Sequence, residues 1–434
     1  MNLCTRIVAT GALFALSPQT AYSQNAVVAA PPASGDVAEA FRKLAPAVVR
    51  IEVRETGAVA LSSVGSGFFA APSGRIITNF HVISSLVNEP ARHRGRATWG
   101  KDTVDIQVLA VDVVHDLAVL EAPDAHGEAM LTPVTASLSK GDRVLALGHP
   151  RDLGLSIVEG TYNGQVEHVL TPRLHFTGPL NPGMSGGPAV TPGGALVGVN
   201  VATMGEELAF LVPAEFVTRL LSRLPSTLPE PEALRNDMAA QIGTLGVDAL
   251  ESLFEADAPT VQLGPYRAPT EPSAAFQCWG DAREPKDASY RLVIHRCSTD
   301  ESVYLSENLS AGLVHFSHQL LDGESMGRMR LLTASEQVFN DKLEFDGTPR
   351  ETTSFRCTTS NVRTEKLAFR TELCARRLKT LYGLYEAVLR ATPLGATTQS
   401  LVTTLTMSGM RFDLIQRMVT RYLASIVPAP EAAE

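Results

Sequence analysis

From residue 48 to residue 213 the chain repeatedly alternates apolar and polar residues over a few positions and then breaks at Gly or Pro. In VVRIEVRE, Val49, Ile51 and Val53 alternate with Arg50, Glu52 and Arg54, and in VDIQV, Val104, Ile106 and Val108 alternate with Asp105 and Gln107. A period of two puts every apolar side chain on one face of an extended strand, and it cannot do so on a helix. Many short strands separated by frequent turns predict a sandwich or a barrel. Helical patterns bracket this region. One is short, Asp36 to Leu44, and stops before Pro46; the other runs from Ala214 to Leu224. LPSTLPEPE, Leu224 to Glu232, then reads as a linker, because its prolines block helix and sheet alike.

With 434 residues the chain is long enough for two or three domains, and 44% hydrophobic against 19% charged residues supports packed cores. The net charge of −9, without a long basic run, argues against nucleic acid as a partner, since phosphate neutralisation needs clustered Lys and Arg. Residues 1–23 read as an export signal: Arg6, an apolar run from Ile7 to Leu16, then the small residues Ala21 and Ser23 around Tyr22. A buried N-terminal helix is the rival reading. Residues 24–35 read as a flexible leader. No stretch is long and apolar enough for a membrane span once the signal is removed, so a periplasmic or secreted protein is expected. Cys4 falls inside the signal, leaving Cys278, Cys297, Cys357 and Cys374. An even count in an oxidising compartment predicts two disulfides; a Cys4 zinc site would usually show C-x2-C spacing, which is missing here.

The C-terminal part, 233–434, differs in character and is expected to be a separate α+β domain. Ala233 to Ala256 has an amphipathic pattern weakened by Gly243 and Gly246, and Phe412, Ile415, Val419, Tyr422, Leu423 and Ile426 recur at helical spacing. Between them, FQCW…YRLVIHRC and SFRC…LAFRTELC echo one another. Each is expected to be a hairpin stapled by its own bridge, Cys278 to Cys297 and Cys357 to Cys374, although four cysteines permit three pairings.

Three segments carry chemistry. In NPGMSGGPAV, Asn181 to Val190, Ser185 is a candidate nucleophile. Gly183, two residues earlier, lets the backbone turn so that the N–H groups of Gly183 and Ser185 form an oxyanion hole. In IITNFHVI, Ile76 to Ile83, an apolar strand runs into Thr78-Asn79 and His81 follows on the turn. In HDLAVL, His115 to Leu120, Asp116 sits at the mouth of an apolar strand. Each segment alone has a plain structural reading: a Gly/Pro-rich hairpin, a structural histidine, a strand-ending acid.

Taken in order, His81, Asp116 and Ser185 resemble the trypsin-fold serine proteases, and more closely their HtrA/Deg-like branch. TNFHVI is similar to that family's TNxHV, HDLAVL to its DLAVL, and NPGMSGGPAV to its NPGNSGGP. GDRVLALGHP, GALVGVN and FLVPAEFV fit as well, so the resemblance covers residues 36–222. It implies an all-β domain of two six-stranded barrels with the active site between them. It also implies Ser185 as nucleophile, His81 as general base and Asp116 as its orienter, acting on polypeptide substrates. His115, His149, His168 and His175 compete with His81, and Asp112 with Asp116. A literal G-x-S-x-G at Gly183 to Gly187 also invites an α/β-hydrolase, but that fold requires the order Ser, Asp, His.

Met184 departs from the family, whose HtrA-like members usually have Asn before the serine, and it cannot pair with a cleaved N-terminus. Pro179, Leu180, Val199, Asn200 and Val201 are the expected substrate pocket, apolar and without an acid to favour Lys or Arg. No peptide-binding GLGF-like loop follows residue 225. No metal or organic cofactor is expected, since no H-E-x-x-H or similar spacing occurs. A protease-fold binding or chaperone-like protein with little turnover, or a serine esterase, are the alternatives to a serine endopeptidase.

Overall fold

The computed structural model describes residues 35–71, 74–123, 125, 130–131, 138–151, 153–167, 169–201, 209–251, 259–271, 275–284, 289–299, 302–342 and 345–430. The expected signal and residues 24–34 of the expected leader lie outside them, as does His168. α1 (Gly35–Leu44) ends in a short 3-10 turn at Ala45–Ala47, where the pre-proline position stops the helix. The first barrel is built from β1 (Val48–Glu55), β2 (Leu61–Ala71) and β3 (Arg75–Thr78), then, after α2 (Phe80–Asn88), from β4 (His93–Trp99), β5 (Asp102–Asp112) and β6 (Leu117–Glu121). The second comprises β7 (Arg143–Gly148), β8 (Ser156–Gln165), β9 (Leu174–Thr177), β10 (Pro188–Val190), β11 (Leu196–Val201) and β12 (Ala209–Pro213). Both close on themselves, in the orders β1-β2-β3-β6-β5-β4 and β10-β11-β12-β9-β8-β7. The alternation seen in the sequence does the work: Val49, Ile51 and Val53 are buried while Glu52 and Arg54 face outward. These are the two six-stranded barrels the resemblance implied.

α3 (Ala214–Ser222) leaves the second barrel, and α4 (Pro231–Glu251) begins the C-terminal half with proline in its first turn, where no N–H is needed. Then follow β13 (Thr260–Leu263), β14 (Tyr266–Pro269), β15 (Phe276–Arg283), β16 (Arg291–Thr299), β17 (Val303–Ser306), β18 (Leu309–Ala311), β19 (Val314–Asp322), α5 (Arg328–Phe339), β20 (Arg356–Arg363), β21 (Ala368–Arg377), β22 (Leu384–Pro393), β23 (Gln399–Arg411), α6 (Phe412–Ser425) and β24 (Val427–Pro428). Seven strands form one antiparallel sheet in the order β15-β16-β19-β23-β22-β21-β20. The two echoing segments are its two edge hairpins, with Cys278 opposite Cys297 and Cys357 opposite Cys374 in register. The sulfur atoms lie 2.01 Å and 2.00 Å apart. α6 covers one face through Leu414, Ile415, Met418, Tyr422 and Leu423, and α5 covers part of the other with Leu331 and Phe339 against Leu321 and Val402.

This α+β half is not isolated from the barrels. Leu234, Met238, Ala239 and Ile242 of α4, together with Val303, Leu305 and Leu309, join Ile83, Val87, Val111 and Val113 of the first barrel in one continuous apolar cluster. Burying each of the larger side chains contributes about 2 kcal/mol, so the cluster fixes the C-terminal half against the barrel beside α2. Among the described residues, no helix is long and apolar enough to cross a membrane.

Candidate active site

His81 does not sit on a free turn, as expected, but in the first turn of α2, with Asn79 as the extended residue before the helix. The turn expected after Asn79 is the start of this helix, held by burial of Phe80, Val82, Ile83 and Val87. Asp116 lies in the loop from β5 to β6. It is the one non-glycine residue with positive φ among the described residues, at 59°. That conformation costs about 1–3 kcal/mol and persists only where its surroundings hold it. They do: the backbone N–H of Phe80 (3.2 Å) and Asn79 Nδ2 (2.8 Å) both donate to the Asp116 carbonyl.

The carboxylate is thereby turned onto His81. Oδ1 accepts the backbone N–H of His81 at 2.9 Å, and Oδ2 lies 2.7 Å from its Nδ1. An ionised carboxylate only accepts, so the ring proton sits on Nδ1 and Nε2 keeps its lone pair. Burial alone would lower the His81 pKa. The charge of Asp116 and its hydrogen bond outweigh both burial and the nearby Arg173, and the net pKa is raised above 6.5.

The rival acid and a rival base pair with each other. Asp112 Oδ1 lies 2.8 Å from His115 Nδ1, and Arg223 approaches Oδ2 at 3.4 Å. The His115 ring stacks on Phe216 with centroids 3.7 Å apart. This pair anchors α3 to the first barrel. Burial pushes the Asp112 pKa up, but the bond and charge of His115, with Arg223, lower it overall from 3.8. The resulting stability is present above that ordinary value and is lost as pH falls through the lowered one. His115→Ala is expected to cost about 1–3 kcal/mol, because it strips a partner from a buried carboxylate. The loss would appear in urea denaturation, with reaction at Ser185 retained. His149 is also disqualified as a base: burial, with Arg50, lowers it to about 4. His175 lies on β9 with its ring 6.4 Å from that of Phe210.

Ser185 is buried on the loop between β9 and β10. Ser66 of β2 stitches that loop to the first barrel. Its N–H donates to the Ser185 carbonyl at 2.7 Å, its Oγ donates to the Gly183 carbonyl at 2.7 Å, and Oγ accepts the His149 N–H at 2.8 Å. Gly183 has φ +100°, and a Cβ there would lie 2.5 Å from the His149 carbonyl oxygen and 2.8 Å from the Arg151 nitrogen. Met184 is fully buried, and its carbonyl accepts the N–H of Gly187. Of the expected pocket residues, Val199 is buried in the core, and Asn200 donates Nδ2 to the Leu147 carbonyl at 2.9 Å. Pro179 is exposed, while Leu180 and Val201 are half-buried. Sequence reasoning missed Ser66, Arg173 and Tyr304. The Tyr304 ring comes from the C-terminal half and stands edge-on to His81, centroids 6.1 Å apart. No local signal marks it, because the contact spans more than two hundred residues.

The two closed six-stranded barrels are those of trypsin-like domains, and residues 65–199 match the family model described as a trypsin-like peptidase domain. His81, Asp116 and Ser185 all fall within the matched span. The chain is also similar to curated HtrA proteins. Rat "Serine protease HTRA3" is 27% identical over 266 residues, 56% of this chain and 56% of that protein. Bovine "Serine protease HTRA2, mitochondrial" is 31% identical over 206 residues, 43% of each chain. A crystal structure of the serine endoprotease from Yersinia pestis aligns at 27% identity with a TM-score of 0.37, covering 43% of this chain and 65% of that one. The chain spans about half the length of the curated relatives it matches.

Proposed function

We propose that the protein is a serine endopeptidase that cuts exported or unfolded polypeptides through a Ser185–His81–Asp116 triad. The observation that carries this reading is the double hold of Asp116 on His81, through ring and backbone, which leaves Nε2 as a base. The loop bearing Ser185 abuts the same segment: a Cβ on Gly186 would lie 3.0 Å from the Asn79 nitrogen, two residues before His81. In this mechanism Ser185 Oγ attacks the scissile carbonyl carbon as its proton passes to His81 Nε2. The tetrahedral oxyanion is held by the N–H groups of Gly183 and Ser185. Collapse breaks the C–N bond, and the proton goes to the leaving amine. Water, deprotonated by His81, then cleaves the Ser185 ester and restores the enzyme. Of the expected pocket residues Pro179, Leu180 and Val201 keep accessible side chains, and all three are apolar, which supports an apolar preference. Two cysteine pairs at bonding distance support an oxidising, periplasmic or secreted setting.

A fluorophosphonate probe is expected to label the wild type and not Ser185→Ala, and an unfolded protein is expected to be cut by the wild type alone. Absence of labelling and cleavage in the wild type would overturn the reading in favour of a non-catalytic binding protein. Labelling with ester turnover but no peptide cleavage would favour an esterase.

A further inference from the structure

A groove of about 700 Å³ begins at His81 and runs between α2 and the β17–β18 hairpin. Ser63, Ser84 and Asn88 line it from the first barrel; Tyr304, Ser306 and Glu307 line it from the C-terminal half. The hairpin is a fixed wall. Val303, Leu305 and Leu309 are buried with Ile83 and Val87 of α2, and Asn88 Nδ2 donates to the Leu305 carbonyl at 2.8 Å. Strand alternation turns Tyr304, between two buried neighbours, to the other face and onto His81. The far side is held by Glu351, whose carboxylate accepts from Ser306 Oγ and from the N–H (2.9 Å) and Oγ1 (2.7 Å) of Thr348.

We propose that this groove is the part of the substrate cleft that receives the polypeptide on the leaving-group side of the scissile bond, with Tyr304 as a specificity-determining contact beside that bond. The inference rests on the endopeptidase reading. His81 hands its proton to the leaving amine, so the chain beyond that amine leaves past His81. The acyl-side residues Leu180 and Val201 belong to the second barrel, whereas this groove is lined by the first barrel with α2 and by the C-terminal half, including the hairpin, Met238 of α4, Glu351 and Leu381. Its volume falls in the range that buries a short peptide-sized ligand. Serine and asparagine side chains supply hydrogen bonds to an extended main chain, and the Tyr304 ring supplies an apolar face for the side chain directly after the cut. The C-terminal half thus completes the cleft.

The test compares wild type and Tyr304→Ala on two substrates with the same acyl portion. One carries a small chromogenic leaving group, and the other continues as a peptide of several residues. Tyr304→Ala is expected to lower kcat/KM on the long peptide at least tenfold more than on the short substrate, mainly through KM, and to flatten the preference at the first position after the cut. Tyr304→Phe keeps the ring and is expected to restore most of the loss. Equal effects on both substrates, or none on either, would overturn the proposal. A separate readout keeps it apart from the endopeptidase reading. Peptide affinity, by fluorescence polarisation, is compared between Ser185→Ala and the Ser185→Ala/Tyr304→Ala double variant, so the groove is tested without turnover. An unchanged affinity refutes the groove whatever the fluorophosphonate result.

Discussion

Asp116→Asn is expected to lower kcat about 10⁴-fold, close to 5.5 kcal/mol of transition-state stabilisation, while leaving the fold in place. The size follows from what the carboxylate does. Asp116 accepts from both the backbone N–H and Nδ1 of His81, which fixes the ring proton on Nδ1. An amide can present an N–H to Nδ1 instead, which selects the opposite tautomer and removes the lone pair from Nε2. The pH profile should move as well. In the wild type the raised His81 pKa places the acid limb of kcat/KM above 6.5. Without the Asp116 charge, the remaining influences, burial and Arg173, both lower that pKa, so the residual activity should show its acid limb below 6.5. Stability shifts with opposite sign. A raised folded-state pKa favours the fold below the unfolded value, and this contribution is lost as pH rises through the folded one. The most active pH range is therefore the one in which His81 no longer adds to stability. An acid limb unmoved by Asp116→Asn would remove Asp116 from its assigned role.

Gly186→Ala is expected to lower the rate of fluorophosphonate labelling about 100-fold or more and to destabilise the protein by about 3 kcal/mol. Gly186 has φ +85°, and a Cβ there would overlap the Ser66 carbonyl oxygen and Thr78 Oγ1. Its N–H donates to the Asn200 carbonyl at 2.9 Å, so the residue cannot swing away without breaking the brace under Ser185. The methyl group would push apart the two barrels at the point where Ser66 binds the Ser185 carbonyl. Gly193→Ala is the control: its Cβ would meet only Thr191 Oγ1 at 3.7 Å, and its φ is not in the left-handed region. Thermal denaturation and labelling kinetics on both variants decide the matter. Equal behaviour would mean that the loop tolerates a side chain beside Ser185.

Much of the two-barrel half was legible in the sequence, for local reasons. Alternation in VVRIEVRE and VDIQV is enough to make half-buried strands, because burial of one face is a property of a few consecutive residues. The C-terminal helix pattern was legible for the same reason, and its residues Ile415, Tyr422 and Leu423 are buried on the sheet. Failures cluster where the local pattern is uninformative. His81 is expected on a turn, but Phe80 to Asn88 forms a helix because Phe80, Val82, Ile83 and Val87 are buried. The side chains of Val199 and Asn200, expected near the pocket, are turned inward, one into the core and the other onto the Leu147 carbonyl, which local sequence did not indicate.

By itself, then, the sequence determined a succession of short half-buried strands, the order of the chemically equipped segments and the need for glycine before Ser185. These are consequences of side-chain period and backbone freedom over a few residues. The resemblance already implied that Asp116 orients His81; tertiary structure alone decided that His115 takes Asp112, that Ser66 ties the barrels together beneath Ser185, and that Tyr304 reaches His81 from the other half of the chain. Such pairings join residues far apart in sequence, and which of several chemically similar partners meet is settled only when the shared apolar cores close and bring their strands and helices into one register.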